Sequence, residues 1–335
     1  MQILDFRTCL PRKVVPFWTA CEKEIRHRDP RLWVPRDLER QLQWLYQDMR
    51  GEPGIVGRIA SQDDNTIGML MVARRQIAEI DVIRAIYPRR FAFCSWLAVD
   101  RYLDTSAIIK NMLDSAYQAQ ALADLSSLFI AVPTAAVETL KALEEAGLRS
   151  WIMMAHRDAL PYEPPDFEGK VRAASLLDRE AIIDLSIEMI EFHREIDPRC
   201  STDADLKAIY QAELNDAFAD LNHAIFVAEL NGKVVGEMHC VLHRLNEEER
   251  SSPISPGTYG YIGSASVTAS VRGKGVGKAL FAQANRWFRS HRVNGVQLHY
   301  NTVNPVSTHF WQNLGFEPLI VTLHQELTHS KSPET

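Results

Sequence analysis

The run Arg272-Gly273-Lys274-Gly275-Val276-Gly277 has the residue types to hold an anion. Gly273, Gly275 and Gly277 let the backbone take positive φ angles and come close to a ligand, and the free amides of a following helix start would point at it. A phosphate fits such a turn. A second chemical group lies upstream, in Val234 to His243, where period-two alternation puts Glu237, His239 and His243 on one face of a strand. Any of the three could abstract a proton, directly or through water.

These groups need elements to position them. A strand over Tyr259 to Val267 feeds the glycine turn, and a helix over Lys278 to His291 follows it. Upstream, Ser175 to Phe192 has helical apolar spacing at Ile182, Leu185, Met189 and Phe192, and a second helix covers Asp205 to Leu221. A hairpin then joins Ala224 to Leu230 with Val234 to His243 through Asn231-Gly232, and a charged loop spans Asn246 to Arg250. Downstream come a strand over Val296 to Thr302, a helix over Val306 to Leu314 capped by Gly315, and a last strand near Leu319 to Leu327. Helices first, then strands with crossover helices, give a mixed α/β sheet flanked by helices.

The whole unit is written twice. A shift of 168 positions lays Asp29-Pro30-Arg31 on Asp197-Pro198-Arg199, Ala60 on Ala228, Gly68 on Gly236, Pro88 on Pro256, Val99 on Val267 and Gly147 on Gly315. The expected division is a first copy over 1–157, a proline-rich linker over 158–169, a second copy over 170–329 and a tail over 330–335. The glycine turn does not survive in the first copy: Arg272, Gly273, Gly275 and Gly277 become Asp104, Thr105, Ala107 and Ile109. A carboxylate replaces a cation, and side chains fill the space where backbone must approach an anion.

Composition narrows the class. The 335 residues are 46 % hydrophobic and 24 % charged, as in a soluble globular protein of two domains. No apolar run reaches a membrane span and Met1 to Arg7 does not read as a secretory signal, so the expected compartment is the cytoplasm, with no membrane partner. The net charge of -6, without a basic stripe, speaks against nucleic acid. Cys9, Cys21, Cys94, Cys200 and Cys240 are odd in number and scattered, which indicates neither a disulfide framework nor a metal site.

Two signatures in order resemble the GNAT superfamily of acyl-coenzyme A dependent acyltransferases. The first is Val267 followed by Arg272, Gly275 and Gly277; the second is Asn304, Ser307, Phe310-Trp311 and Gly315-Phe316. The resemblance covers 170–329 and, more weakly, 1–157. It implies two tandem GNAT-like domains, each a mixed, mostly antiparallel sheet flanked by helices, the first degenerate. It implies acetyl-CoA as acyl donor and coenzyme A as product. The pyrophosphate would rest on the amides of Arg272, Gly273, Lys274, Gly275, Val276, Gly277 and Lys278, and the pantetheine arm would lie along Ala265, Ser266 and Val267, with Asn304, Ser307 and Trp311 on its other side.

The implied reaction is direct attack of a primary amine, on a small molecule or a peptide, on the thioester. The family's usual proton donor, a Tyr four residues before the Gly of Gly-Phe, is replaced here by Trp311, whose indole N–H is no acid. Tyr300 or a water takes its place. Base candidates remain Glu237, His239 and His243. The segment carrying His193, Glu195 and Asp197 corresponds to the family's acceptor pocket. Nine acids between Glu188 and Asp220, against Arg194, Arg199 and Lys207, would attract a cationic amine. Asp-Pro-Arg, repeated in the copy without a glycine turn, reads equally well as a turn. The competing reading is a noncatalytic acyl-CoA-binding sensor.

Overall fold

A computed structural model describes residues 1–246 and 253–327; most of the expected charged loop, and the tail from residue 330, lie outside the described residues. The first half runs β1 (Gln2–Asp5), α1 (Pro11–Arg28), α2 (Leu38–Gly51), β2 (Ile55–Gln62), β3 (Asn65–Gln76), β4 (Arg90–Val99), α3 (Thr105–Tyr117), β5 (Ser127–Pro133), α4 (Val137–Glu145) and β6 (Arg149–Arg157). The second runs β7 (Lys170–Ala173), α5 (Arg179–Ile196), α6 (Leu206–Ala219), β8 (His223–Leu230), β9 (Lys233–Leu245), β10 (Gly257–Val267), α7 (Val276–Ser290), β11 (Val296–Asn301), α8 (Pro305–Asn313) and β12 (Glu317–Glu326). The 168 shift carries every element onto its counterpart. β1 and β7, short edge strands, are the pair that hydrophobic periodicity did not announce.

Local signals set the boundaries. Asp205 caps α6 through the amide of Ala208 at 3.1 Å, and Asp104 caps α3 through that of Ala107 at 3.0 Å. Asn231 and Gly232 take φ of 51° and 74°, the two positive angles a tight hairpin turn demands, and Gly315 ends α8 at 83°. The expected helix from Ser175 begins instead at Arg179, because Ser175 and Asp178 form a capping box around a short 3-10 turn.

All twelve strands form one sheet in the order β1-β2-β3-β4-β5-β12-β6-β11-β10-β9-β8-β7. Only β4 with β5 and β10 with β11 run parallel. At the centre the last strand of each half pairs inside the other half: β6 lies between β11 and β12, and β12 between β5 and β6. The pairs Glu317–His156 and His324–Arg149 exchange under the 168 shift, so the molecule has a pseudo-twofold axis between β6 and β12. The expected divisions at 157 and 170 therefore cut the chain but not the sheet.

One sheet face, the back, carries α3 and α4 over the first half and α7 and α8 over the second. Val276, Leu280, Phe281, Ala284 and Phe288 of α7 pack on Met238, Cys240, Ile262, Leu298 and Tyr300. A fully buried Phe or Leu there contributes on the order of 2 kcal/mol. The front face carries α1 and α2 over the first half and α5 and α6 over the second.

Candidate active site

The glycine turn has the geometry of an anion cradle. Gly273 and Gly275 take φ of 80° and 81°, and Gly275 is the left-handed N-cap of α7, with no side chain capping the helix. Among the described residues the amides of Gly273, Gly275, Val276, Gly277 and Lys278 have no hydrogen-bond partner, whereas Arg272 and Lys274 donate weakly to Ala269 and Val271. So five of the seven expected amides are free, at the positive end of a fifteen-residue helix. An added Cβ on Gly277 would come within 3.0 Å of the Phe310 ring, so this glycine serves the contact of α7 with α8. The linker passes alongside, its Asp166 carbonyl 3.3 Å from where a Gly275 Cβ would stand. The side chain of Arg272 points away from the turn: Nε donates to the Val267 carbonyl at 3.0 Å and the guanidinium lies over Phe192.

Next to this turn the sheet opens. β10 and β11 pair only over Gly260–Ile262 and Val296–Leu298, so Ser264 to Val267 present a strand edge without a neighbour on that side. Register also slips between β10 and β9 at Gly263, which bulges opposite His239; a Cβ there would lie 3.7 Å from its Nδ1. The missing side chain leaves room above the imidazole.

The predicted front-face trio is present: Glu237, His239 and His243 alternate away from Met238, Cys240 and the α7 side. Glu237 is fully buried. Its Oε2 accepts from Ser264 Oγ at 3.2 Å and its Oε1 has no partner, and burial pushes its carboxyl up to about 7. His239, 4 % exposed, meets the Glu213 carboxylate through Nδ1 at 3.2 Å and His223 Nδ1 through Nε2 at 2.9 Å. The tautomer that satisfies both has Nδ1–H of His239 donating to Glu213 and Nδ1–H of His223 donating to His239. His223 in turn faces Asp220 at 3.7 Å, and burial lowers its pKa. His243 stacks on Tyr261, whose hydroxyl meets His299 Nδ1 at 2.9 Å. His243, Gly263 and His299 are exposed, and they line the open part of this face.

Sequence reading missed Tyr261, His223 and Ser264 as members of the cluster, and counted Glu213 only as surface charge. Period-two alternation along β8 and β10 would have put His223 and Tyr261 on the same face. Ser264 was beyond that rule, because the bulge at Gly263 inverts the alternation.

The remaining candidates are dispersed. Tyr300 is 6 % exposed on the back face with Trp311, so the trio Glu237, His239, Tyr300 does not converge on one side of the sheet; burial raises the Tyr300 pKa and keeps the phenol protonated. Trp311 is core, 6 % exposed and packed between Phe310 and Phe316. Asn304 Oδ1 caps α8 by accepting from the amides of Val306 at 3.0 Å and Ser307 at 3.2 Å, which leaves only its Nδ2 for a ligand.

Asp197, expected to meet the acceptor, is 1 % exposed and fully engaged. It holds Arg199 through Nε at 2.7 Å and Nη2 at 3.0 Å, and Asn301 Nδ2 at 2.6 Å. Arg199 reaches the Ser150 carbonyl on β6; Arg31, held by Asp29 in the same way, reaches Pro318 on β12. The repeated Asp-Pro-Arg is thus a bolt that fastens each half to the exchanged strand of the other. His193 is half-buried, with its pKa lowered by burial, and Glu195 is exposed.

The first copy has both features filled. Asp104 supplies a carboxylate to the start of α3, where the second copy leaves amides free. On the front face Met69, Met71, Trp96 and Ala98 stand where the second copy has Glu237, His239, Ser264 and Ser266, and they pack with Trp18, Leu42 and Tyr46 into a closed core.

Residues 187–316 match the acetyltransferase (GNAT) family. No curated protein matches the sequence. Among solved structures, a GCN5-related N-acetyltransferase from Sphaerobacter thermophilus aligns over 98 % of this chain and 96 % of its own, at 15 % identity and a TM-score of 0.54. A GCN5-related glucosamine N-acetyltransferase region of a fungal multi-domain GH3 beta-N-acetylglucosaminidase aligns over 96 % of this chain and 38 % of its own, at 13 % identity and a TM-score of 0.51. A tandem GNAT protein from the clavulanic acid biosynthesis pathway aligns over 98 % and 99 %, at 12 % identity and a TM-score of 0.47. The first two agree with the architecture over nearly the full chain, and the family match falls on the half that keeps the glycine turn. Residues 187–316 carry a GNAT-family domain, and the chain as a whole has the architecture of two GNAT-like domains joined in a single sheet.

Proposed function

We propose that the protein is an acetyl-CoA-dependent N-acetyltransferase with one working site, in the second half of the chain, and that the first half has no site of its own. The observation that carries this is the pairing of two features in one copy: five free amides at a left-handed glycine cap, and a buried carboxyl with an unpaired oxygen beside a parted strand edge. The other copy replaces both with an aspartate cap and a methionine-tryptophan core.

On this reading the amides of Gly273 and Gly275 to Lys278 take the coenzyme A pyrophosphate, and main chain of Ala265 to Val267 takes the pantetheine arm. Glu237 accepts a proton from the acceptor ammonium. A pKa of about 7 lets it do so near neutral pH and surrender the proton again. His239, His223 and Glu213 form a hydrogen-bonded chain on the same face of the sheet. The free amine attacks the acetyl carbonyl, the strand-edge amide near Val267 stabilises the oxyanion, the C–N bond forms and the C–S bond breaks. A water protonates the departing thiolate, because Tyr300 and Trp311 both lie in the back-face core and the indole N–H is no acid.

The test is acetyl-CoA turnover against a panel of primary amines (spermidine, lysine, tryptamine, glucosamine and a free peptide N-terminus), read by thiol release. Turnover of at least one, lowered about 100-fold or more by Glu237→Gln, is expected. Tight coenzyme A binding with no turnover on any amine would favour the sensor and sink the enzymatic reading.

A further inference from the structure

Between β3 and β4 of the first copy, residues 77–89 leave their own half and cross the front face to the second. Arg84, 1 % exposed, makes an ion pair at 3.1 Å with Asp203, donates to Ser201 Oγ at 3.3 Å and braces its own loop through the Tyr87 carbonyl at 2.9 Å. The Ile86 carbonyl accepts from the Ser201 amide at 2.8 Å, and Ala85 and Ile86 join the apolar core under α5 and α6. Tyr87 closes the crossing. Its ring meets Trp151 at 4.7 Å and Phe129 at 5.0 Å, on the side of the sheet where Tyr261 and His299 stand. The first copy therefore grips the link between α5 and α6 at its middle, while Asp197 and Arg199 bolt its start to β6.

The pseudo-twofold axis repeats the crossing on the other side, where the Pro253 carbonyl accepts from the Trp33 amide at 2.8 Å and Ile254 packs with Leu32. On that side the front face beneath α1 and α2 is the closed core of Trp18, Met69, Met71 and Trp96. Among the described residues, the crossing from the first copy lies on the side of the sheet that carries Tyr261 and the polar cluster, and the mirror contact at 253–254 lies on the half with the apolar core.

We propose that the first copy, without a site of its own, sets acceptor affinity in the second, with Arg84 and Tyr87 as positioning residues that fix the 197–205 link above Tyr261, His243 and His299. This rests on the reading of that face as the acceptor site. A grip of buried cation, backbone bond and aromatic wall removes freedom from the link before the acceptor arrives, so that less ordering remains to oppose binding.

The experiment compares the full-length chain with Arg84→Met, with the milder Asp203→Asn and with Leu32→Ala at the mirror crossing. The acceptors are the amines of the panel that the unsubstituted protein acetylates. Arg84→Met is expected to raise KM for the amine tenfold or more, and Asp203→Asn severalfold, with KM for acetyl-CoA unchanged within twofold. Leu32→Ala should lower thermal stability without moving either KM. Equal rises in both KM values, or a loss of stability alone in Arg84→Met, would overturn the proposal. If no amine is turned over, the enzymatic reading fails separately, and hydrogen exchange still decides the grip: Arg84→Met must speed exchange over 199–205 but not over α7, and unchanged protection there refutes it.

Discussion

Glu237 gives a prediction that needs no substrate. In the unfolded chain its carboxyl loses a proton near 4.5; in the folded protein burial holds the proton to about 7. Between these values the native state binds more protons than the unfolded one, so this residue makes stability fall as pH rises. Each pH unit is worth about 1.36 kcal/mol, so the contribution lost across the window is about 3 kcal/mol. Below about pH 4.5 both states are protonated and the penalty is absent; above about 7 it is complete. Glu237→Gln keeps the shape and removes the titration. Urea unfolding of both proteins in steps from about pH 5 to about pH 8 isolates the residue, because other groups cancel in the difference. The stability of the unsubstituted protein relative to the variant should fall by about 3 kcal/mol with rising pH. Curves that stay parallel across the window would refute the reasoning, since a carboxyl that is ionised throughout has no such slope. The same titration should appear in catalysis as kcat/KM rising through about 7 and then levelling.

Calorimetry should find one coenzyme A site per chain, lost in Gly275→Glu, where a side chain would be forced to φ of 81° beside the Asp166 carbonyl, and kept in Asp104→Ala. The second variant should instead lose about 1 kcal/mol of stability with its helix cap, and two sites of similar affinity would sink the one-site reading. Asp197→Ala should cost about 3 kcal/mol in urea unfolding, because it strands Arg199 and Asn301 together; Asp29→Ala should behave in kind, and an Asp197 variant of normal stability with a raised amine KM would restore it as an acceptor ligand. A fragment covering 158–327 lacks β6 and leaves the edge of β11 unpaired, so it should aggregate on expression, and a soluble folded monomer would contradict the exchanged-strand sheet.

The duplication was legible because it is written in one register: a 168 shift that matches Gly147 with Gly315 and Asp29 with Asp197 also carries every helix and strand onto its counterpart. The filled first copy was half legible. Asp104 in place of Arg272 could be read directly, but the loss of the front face required knowing that Met69, Met71 and Trp96 oppose Glu237, His239 and Ser264. Two things escaped. Alternation assigns residues to faces of a strand and says nothing about which strand lies beside it, so the exchange of β6 and β12 left no local trace. Trp311 and Asp197 were assigned by motif position, and position does not reveal that one is packed between Phe310 and Phe316 and the other closed by Arg199 and Asn301.

The exchange also explains why a copy without a site would be retained. β11 carries His299 and Tyr300, and its only antiparallel neighbour is β6, a strand of the first copy. Arg199, next to the proposed acceptor link, is fastened to the same strand at Ser150, and Arg84 holds the link from above. β11 and the 197–205 link thus each have a partner in residues 77–157. Loss of the first copy would remove an edge of the working sheet and the grip on its loop, whereas loss of the first copy's own anion turn removes nothing the second half touches. If the proposed single site holds, selection on it is enough to preserve the strands and crossings of the first copy while Asp104, Met69, Met71 and Trp96 occupy the positions of the cradle and the polar front face.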